Sequence, residues 1–257
     1  MSVSRERHYR KGQEPPSRKG VFLLPSLFTT ASLFSGFYAL IAAINGDFLR
    51  AAVAVICAAI FDILDGRVAR ATHTVSRFGT EYDSLSDLVS FGVAPAILAF
   101  LWALKPYGRF GWLAAFLYVA TTALRLARFN IQTGIDRRFF VGLPSPAAAG
   151  MVATSVLFSH YLGADGPVKH ISVLAMIYLL SYLMVSNIRY YSFKTLGFLN
   201  QRPFYTLVAF VLIFIVVATE PQVTLFFLAA AYVLSGPLLF LSYLLRRRRE
   251  ESSAATS

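Results

Sequence analysis

The chain is short of charge. Of its 257 residues only 14% are Asp, Glu, Lys or Arg, against the roughly 25% usual in a soluble domain. With 56% hydrophobic and 15% aromatic residues, this argues against a water-soluble globular domain and predicts an all-α integral membrane protein. There is one cysteine, Cys57, inside an apolar segment; it excludes an intramolecular disulfide framework and reads as a core thiol. Histidine is scarce too. His8, His160 and His170 show no clustering, and His73 is a lone loop histidine of the kind that is ordinarily just solvated. No cleavable leader is evident, because the first apolar run follows about twenty polar residues and has the character of a membrane helix.

What is present is a series of apolar spans. They fall near 24–44, 48–69, 81–102, 110–130, 144–162, 170–188, 204–219 and 222–244, each close to the ~20 residues that cross ~30 Å of hydrocarbon. The last two are separated by Thr219-Glu220-Pro221-Gln222, a hairpin signal. The net charge of +11 raises nucleic acid as a partner, but the 24 basic residues are distributed over loops rather than gathered on one module, which argues against it. Their distribution fixes topology instead. With the N-terminus inside, only Arg50, Lys105, Arg109 and Lys169 fall in outer loops, as the positive-inside rule requires for an even number of spans. Both termini are then cytosolic: a basic tail over 1–20, and a tail over 246–257 that begins with Arg246 to Arg249 and is expected to be disordered after them.

Against this background the acids of residues 62–87 stand out. Asp62 and Asp65 are three apart, Asp83 and Asp87 four apart, and a short turn separates the pairs. On helices each pair projects from one face, so two antiparallel neighbours would aim all four at a shared point. Charged side chains in membrane segments are costly and call for a partner, an ion or a substrate. Oxygen ligands without His or Cys suit Mg²⁺ or Mn²⁺ better than zinc. Counting ~1.5 Å per residue from Arg50 at the outer boundary puts Asp62 about 18 Å and Asp65 about 22 Å inward. That depth lies under the cytosolic surface, where a lipid headgroup and a water-soluble partner can both arrive. By themselves the residues suggest two metals handling a phosphoryl or diphosphate group, with Arg70 offsetting phosphate charge. Gly66, Gly79 and Ala69 are small either to admit such a group or to let helices pack closely. A cation transporter would also place acids in helices.

The combined pattern narrows this. Asp62, Asp65, Gly66, Ala69, Arg70, Gly79, Asp83 and Asp87 match all eight fixed positions of the signature of the CDP-alcohol phosphatidyltransferase family. Chance agreement at one start is on the order of 10⁻⁹. Further stretches, Arg125-Leu-Ala-Arg128-Phe-Asn130, Gly142-Leu-Pro144-Ser145-Pro146 and Ser186-Asn187-Ile-Arg189-Tyr190, resemble the membrane-embedded phosphatidylserine synthases of that family. No His-X-Lys, as in the phospholipase-D-like type, occurs.

The resemblance implies a six-helix core over residues 21–190, two additional transmembrane helices over 191–245, and transfer of a phosphatidyl group from CDP-diacylglycerol to L-serine with release of CMP. It implies two divalent cations, Mg²⁺ or Mn²⁺, on Asp62, Asp65, Asp83 and Asp87, with Asp87 also the general base. Gly66, Ala69, Arg70, Ser76 and Gly79, with Pro25 and Thr29 of the first helix, would contact the donor. Ser26 departs from the Asn found in many members. Serine would be held from among Arg125, Arg128, Asn130, Ser145, Asn187 and Arg189, although inner-loop arginines also serve as topological anchors. Another acceptor alcohol, such as glycerol 3-phosphate, inositol phosphate or choline, fits the eight positions equally. A homodimer in a prokaryotic cytoplasmic membrane is the implied setting.

Overall fold

The computed structural model describes residues 23–72, 76–131, 139–164, 166–191 and 219–254. The expected seventh span, the N-terminal tail, His73, Arg137, Arg138, Lys194 and Arg202 lie outside these, as does the side chain of Arg189. The protein is all-α and membrane-embedded. Its helices are α1 (Leu23–Ile44), α2 (Phe48–Ala71), α3 (Arg77–Tyr107), α4 (Arg109–Ile131), α5 (Ser145–Tyr161), α6 (Ile171–Val185) and α7 (Pro221–Ala254). Of these, α1, α3, α4 and α7 contain stretches long and apolar enough to cross a membrane. α2 has the length but carries the charges of the acidic stretch, and α6 is apolar but shorter.

Small residues let α1, α2 and α3 approach closely. Ala39, Ala43, Ala51, Ala52, Ala58 and Ala94 are almost fully buried between them. Gly36 lies directly against Ser90, leaving no room there for a Cβ. Hydroxyls then tie backbone to backbone: Ser32 Oγ donates to the Ala58 carbonyl at 3.0 Å, Ser86 Oγ to Thr29 at 3.1 Å and Ser90 Oγ to Ser32 at 3.1 Å. In hydrocarbon such bonds replace what water would supply. They fix α3 against α1 within one turn of Asp87.

α3 is longer than the sequence suggests at both ends. Ser76 caps it, its Oγ accepting from the Gly79 N–H at 3.0 Å. Two wide turns interrupt it, Leu88–Val93 and Phe100–Leu104, where Ala94 N–H reaches Val89 and Lys105 N–H reaches Phe100. Each precedes a proline, Pro95 or Pro106, that has no N–H to give. Widening the ladder absorbs that lost bond without breaking the helix.

The fold also contains a short antiparallel ribbon, which the sequence reading did not anticipate. Phe139–Val141 pairs with Arg189–Tyr191, Val141 opposite Arg189. Gly142 closes it with φ +82°, and a Cβ there would collide with the Met184 carbonyl, so this position requires glycine. The ribbon delivers Ser145 to the start of α5, where it is fully buried. Helix α7 also departs from expectation by continuing through Arg246–Arg249 to Ala254. Arg, Glu and Ala all favour helix, which outweighs the expectation of disorder there.

Candidate active site

The turns after α1 and α3 gather at one end with the segment before α6: residues around Gly46, Phe48, Leu101, Lys105 and Pro167 border a cavity of about 350 Å³. A neighbouring one of about 480 Å³ includes Asp47, Trp102 and His160. Neither touches the acids. Asp62 lies fourteen residues after Phe48 on α2, and Asp87 fourteen residues before Leu101 on α3, each about 21 Å away along its helix at helical rise. The acidic site is therefore toward the opposite end of these helices from the cavities.

There, carboxylate oxygens of Asp62, Asp83 and Asp87 all lie within 4.8 Å of one another. Asp65, only 6% exposed, stands beside them and is engaged differently. Its Oδ2 accepts from Thr29 Oγ1 at 3.0 Å, and Asp83 and Arg70 lie near it. The sequence places all four on facing sides; the structure brings three into one group and ties the fourth to α1. Among the described residues no arginine forms an ion pair with any of them. So much like charge in a desolvated site is relieved by bound cations or by protons. Asp87 Oδ1 is buried without a hydrogen-bond partner. An all-oxygen set with an unused buried acceptor fits hard divalent ions.

A second polar group adjoins the acids. Arg125 on α4 lies within electrostatic reach of Asp87 and donates through Nη1 to Ser145 Oγ at 2.8 Å. Among the described residues its Nε has no hydrogen-bond partner, and neither does the fully buried hydroxyl of Tyr118. Arg128 Nη2 donates to Asn187 Oδ1 at 2.9 Å. Asn130 Nδ2 donates to Ser84 Oγ at 3.0 Å, joining α4 to α3 between Asp83 and Asp87. Five of the six candidates for serine thus form three local arrangements; Arg125 is within electrostatic reach of Asp87, and Asn130 is bonded to α3 between Asp83 and Asp87.

Gly66 and Gly79 can now be separated from packing glycines. A Cβ on Gly66 would meet nothing nearer than the Arg70 guanidinium at 3.5 Å, and one on Gly79 only Ser76 Oγ at 3.1 Å. Neither sits in a helix crossing. Ala69 is half-buried, and Pro25 contributes its carbonyl to Thr29 Oγ1 at 3.1 Å. The sequence reading missed Tyr118, whose place beside Arg125 follows from one helical face: the two are seven apart. It also missed Ser84 and Tyr232, which depend on contacts between distant segments.

The model for CDP-alcohol phosphatidyltransferases matches residues 22–185. The chain belongs to this family. It is therefore an integral membrane enzyme of the phosphatidyltransferase class, built on α1 to α6, with α7 beyond the matched region. The CDP-diacylglycerol–serine O-phosphatidyltransferase of Helicobacter pylori (strain ATCC 700392 / 26695) is 44% identical over 176 residues, 68% of this chain and 74% of that one. The protein of the same name from Mycobacterium leprae (strain TN) is 42% identical over 156 residues, 56% of this chain and 52% of that one. An archaetidylserine synthase from Methanothermobacter thermautotrophicus is 37% identical over 169 residues, 65% of this chain and 69% of that one.

Proposed function

We propose that the enzyme transfers the phosphatidyl group of CDP-diacylglycerol to L-serine, giving phosphatidylserine and CMP. The observation that carries this is the pairing of two differently built groups: carboxylates within 4.8 Å of one another and, within electrostatic reach of Asp87, an arginine whose Nε has no hydrogen-bond partner among the described residues. The first suits a diphosphate donor with its cations, the second an acceptor that brings its own carboxylate. The serine synthases named among the relatives support the same acceptor.

Asp62, Asp65, Asp83 and Asp87 would hold two divalent cations, Mg²⁺ or Mn²⁺, which when bound neutralise the diphosphate and make its phosphorus more electrophilic. Thr29 fixes Asp65 for this task. Arg70, on the exposed side of α2, meets the diphosphate, while Gly66, Ala69 and Gly79 leave the donor space and Pro25 and Ser76 border it. Arg125 binds the serine carboxylate, turning the hydroxyl toward Asp87; Ser145 sets the guanidinium, and Asn130, Arg128 and Asn187 support the pocket wall. The serine oxygen attacks the phosphorus bearing the diacylglycerol in line with the bond to CMP. Asp87 takes the hydroxyl proton as attack proceeds, and CMP departs with the bonding electrons. No covalent enzyme intermediate forms.

In this reading residues 21–190 are the catalytic core and 191–245 an addition to it. The site faces the cytosol of a prokaryotic cell, so donor arrives from the inner leaflet and serine from water, and the protein works as a homodimer. Purified protein incubated with CDP-diacylglycerol, Mn²⁺ or Mg²⁺ and a panel of acceptors should release CMP and form phosphatidylserine. Release with glycerol 3-phosphate or an inositol phosphate but not serine would move the acceptor. Cation flux in liposomes without CMP release would favour a transporter.

A further inference from the structure

Among the described residues, three buried polar atoms lack a hydrogen-bond partner: Asp87 Oδ1, Tyr118 Oη and Arg125 Nε. They are not scattered. Arg125 lies within electrostatic reach of both Asp87 and Tyr118, so the three belong to one neighbourhood. Proteins rarely leave such atoms unmade, and several together in one place mark a polar ligand that completes them. Their chemistry defines its class: a donor on Arg125 for a carboxylate, an acceptor on Asp87 for a hydroxyl, and a phenol able to do either.

A fourth group near Arg125 comes from elsewhere. Tyr232, half-buried on α7, lies within electrostatic reach of the same guanidinium. α7 is beyond the family-matched residues, yet it is held in register here from two sides. Tyr190 Oη of the ribbon donates to the Val233 carbonyl at 3.2 Å, its ring lies 5.7 Å from that of Tyr232, and Gly236 lets α7 close on Tyr190. Phe226 stacks on Phe158 of α5 at 4.5 Å.

We propose that α7 forms one wall of the acceptor pocket, and that Tyr232 together with Tyr118 sets which small hydroxy amino acids fit against Arg125. This rests on the acceptor reading above and adds its specificity determinants. Both tyrosines are rigid, with two side-chain torsions each, and Tyr118 keeps a hydroxyl unpartnered among the described residues. The pocket therefore selects by length as well as by charge.

The test uses the full chain in nanodiscs with CDP-diacylglycerol and Mn²⁺. Tyr118→Phe is the sharper variant, because that hydroxyl has no hydrogen-bond partner among the described residues to lose, and a purely structural role predicts no defect. Tyr118→Phe and Tyr232→Phe should each raise the serine KM about 5- to 20-fold, with donor KM and melting temperature essentially unchanged. Tyr232→Ala should raise the ratio of kcat/KM for homoserine over serine by about tenfold or more, the scale of one methylene in a pocket. Unchanged serine KM in both Phe variants, or parallel losses in kcat, donor KM and melting temperature, overturns the proposal. If the wild type releases CMP only with a different acceptor, the serine reading fails by itself. The KM for that acceptor in the same variants then decides the role of the tyrosines.

Discussion

Thr29 and Asp65 are joined across the α1–α2 interface, the hydroxyl donating to Oδ2 at 3.0 Å while its own helix offers the Pro25 carbonyl at 3.1 Å. The bond orients one carboxylate of the acidic group from a helix that carries none of the others. Thr29→Val should therefore lower Mn²⁺ affinity, measured by metal titration of both turnover and paramagnetic resonance, by the 10- to 100-fold typical of lost outer partners. Thr29→Ser should restore it. Equal Mn²⁺ affinity in Thr29→Val and wild type would show that the bond is incidental.

Gly36 and Gly66 make opposite predictions although both are small residues in apolar helices. A Cβ on Gly36 would sit 2.5 Å from Ser90 Oγ and 2.7 Å from its Cα, so Gly36→Ala should destabilise by about 1–3 kcal/mol through overpacking. A Cβ on Gly66 has only the movable Arg70 guanidinium as its nearest neighbour, so Gly66→Val should leave the melting temperature nearly unchanged while raising the donor KM. Normal donor KM in Gly66→Val would remove that residue from the donor site.

Arg125 and Arg128 lie one helical turn apart but differ in what they face. Arg125 is bonded to the buried Ser145, near Asp87, whereas Arg128 is bonded to Asn187 at the chain segment leaving α6. Arg125→Gln should raise the serine KM more than tenfold and the donor KM little; the loss of one carboxylate contact is of that size. Arg128→Gln should change both by less than about threefold. Equal serine defects in the two variants would assign carboxylate binding to the pair rather than to Arg125.

The site was legible in the sequence where one local rule sufficed. Spacings of three and four put Asp62 with Asp65 and Asp83 with Asp87 on common faces, and the intervening turn made the helices neighbours. The same rule could not foresee that Thr29, on a third helix, takes Asp65. Nor could it separate Gly66 from Gly36, since the distinction lies in what the neighbouring helix presents. The ribbon of Phe139–Val141 with Arg189–Tyr191 was hidden because three-residue strands carry too little periodicity to register. The wide turns in α3 were foreshadowed by Pro95 and Pro106, yet a proline alone does not say whether a helix kinks, stops or widens. Docking of Tyr232 beside Arg125 joins residues 107 positions apart, beyond any local pattern.

Asp87 is assigned two tasks, and they separate experimentally. Asp65, held by Thr29, is proposed only as a ligand, so Asp65→Asn should weaken metal binding and recover part of its activity when Mn²⁺ is raised. Asp87 lies in the carboxylate group yet keeps an Oδ1 unpartnered among the described residues and is within electrostatic reach of Arg125, where the acceptor is proposed to bind. Asparagine there retains a carbonyl oxygen able to ligate but cannot take the serine proton. Turnover should then fall by about 10² to 10⁴, the range for a lost general base, while donor binding largely survives. Raising Mn²⁺ should not restore it. Turnover against Mn²⁺ concentration for Asp87→Asn beside Asp65→Asn, with donor binding measured for each, distinguishes the tasks. Recovery of Asp87→Asn as complete as that of Asp65→Asn would leave Asp87 a ligand alone, and the proton would have to pass to another group.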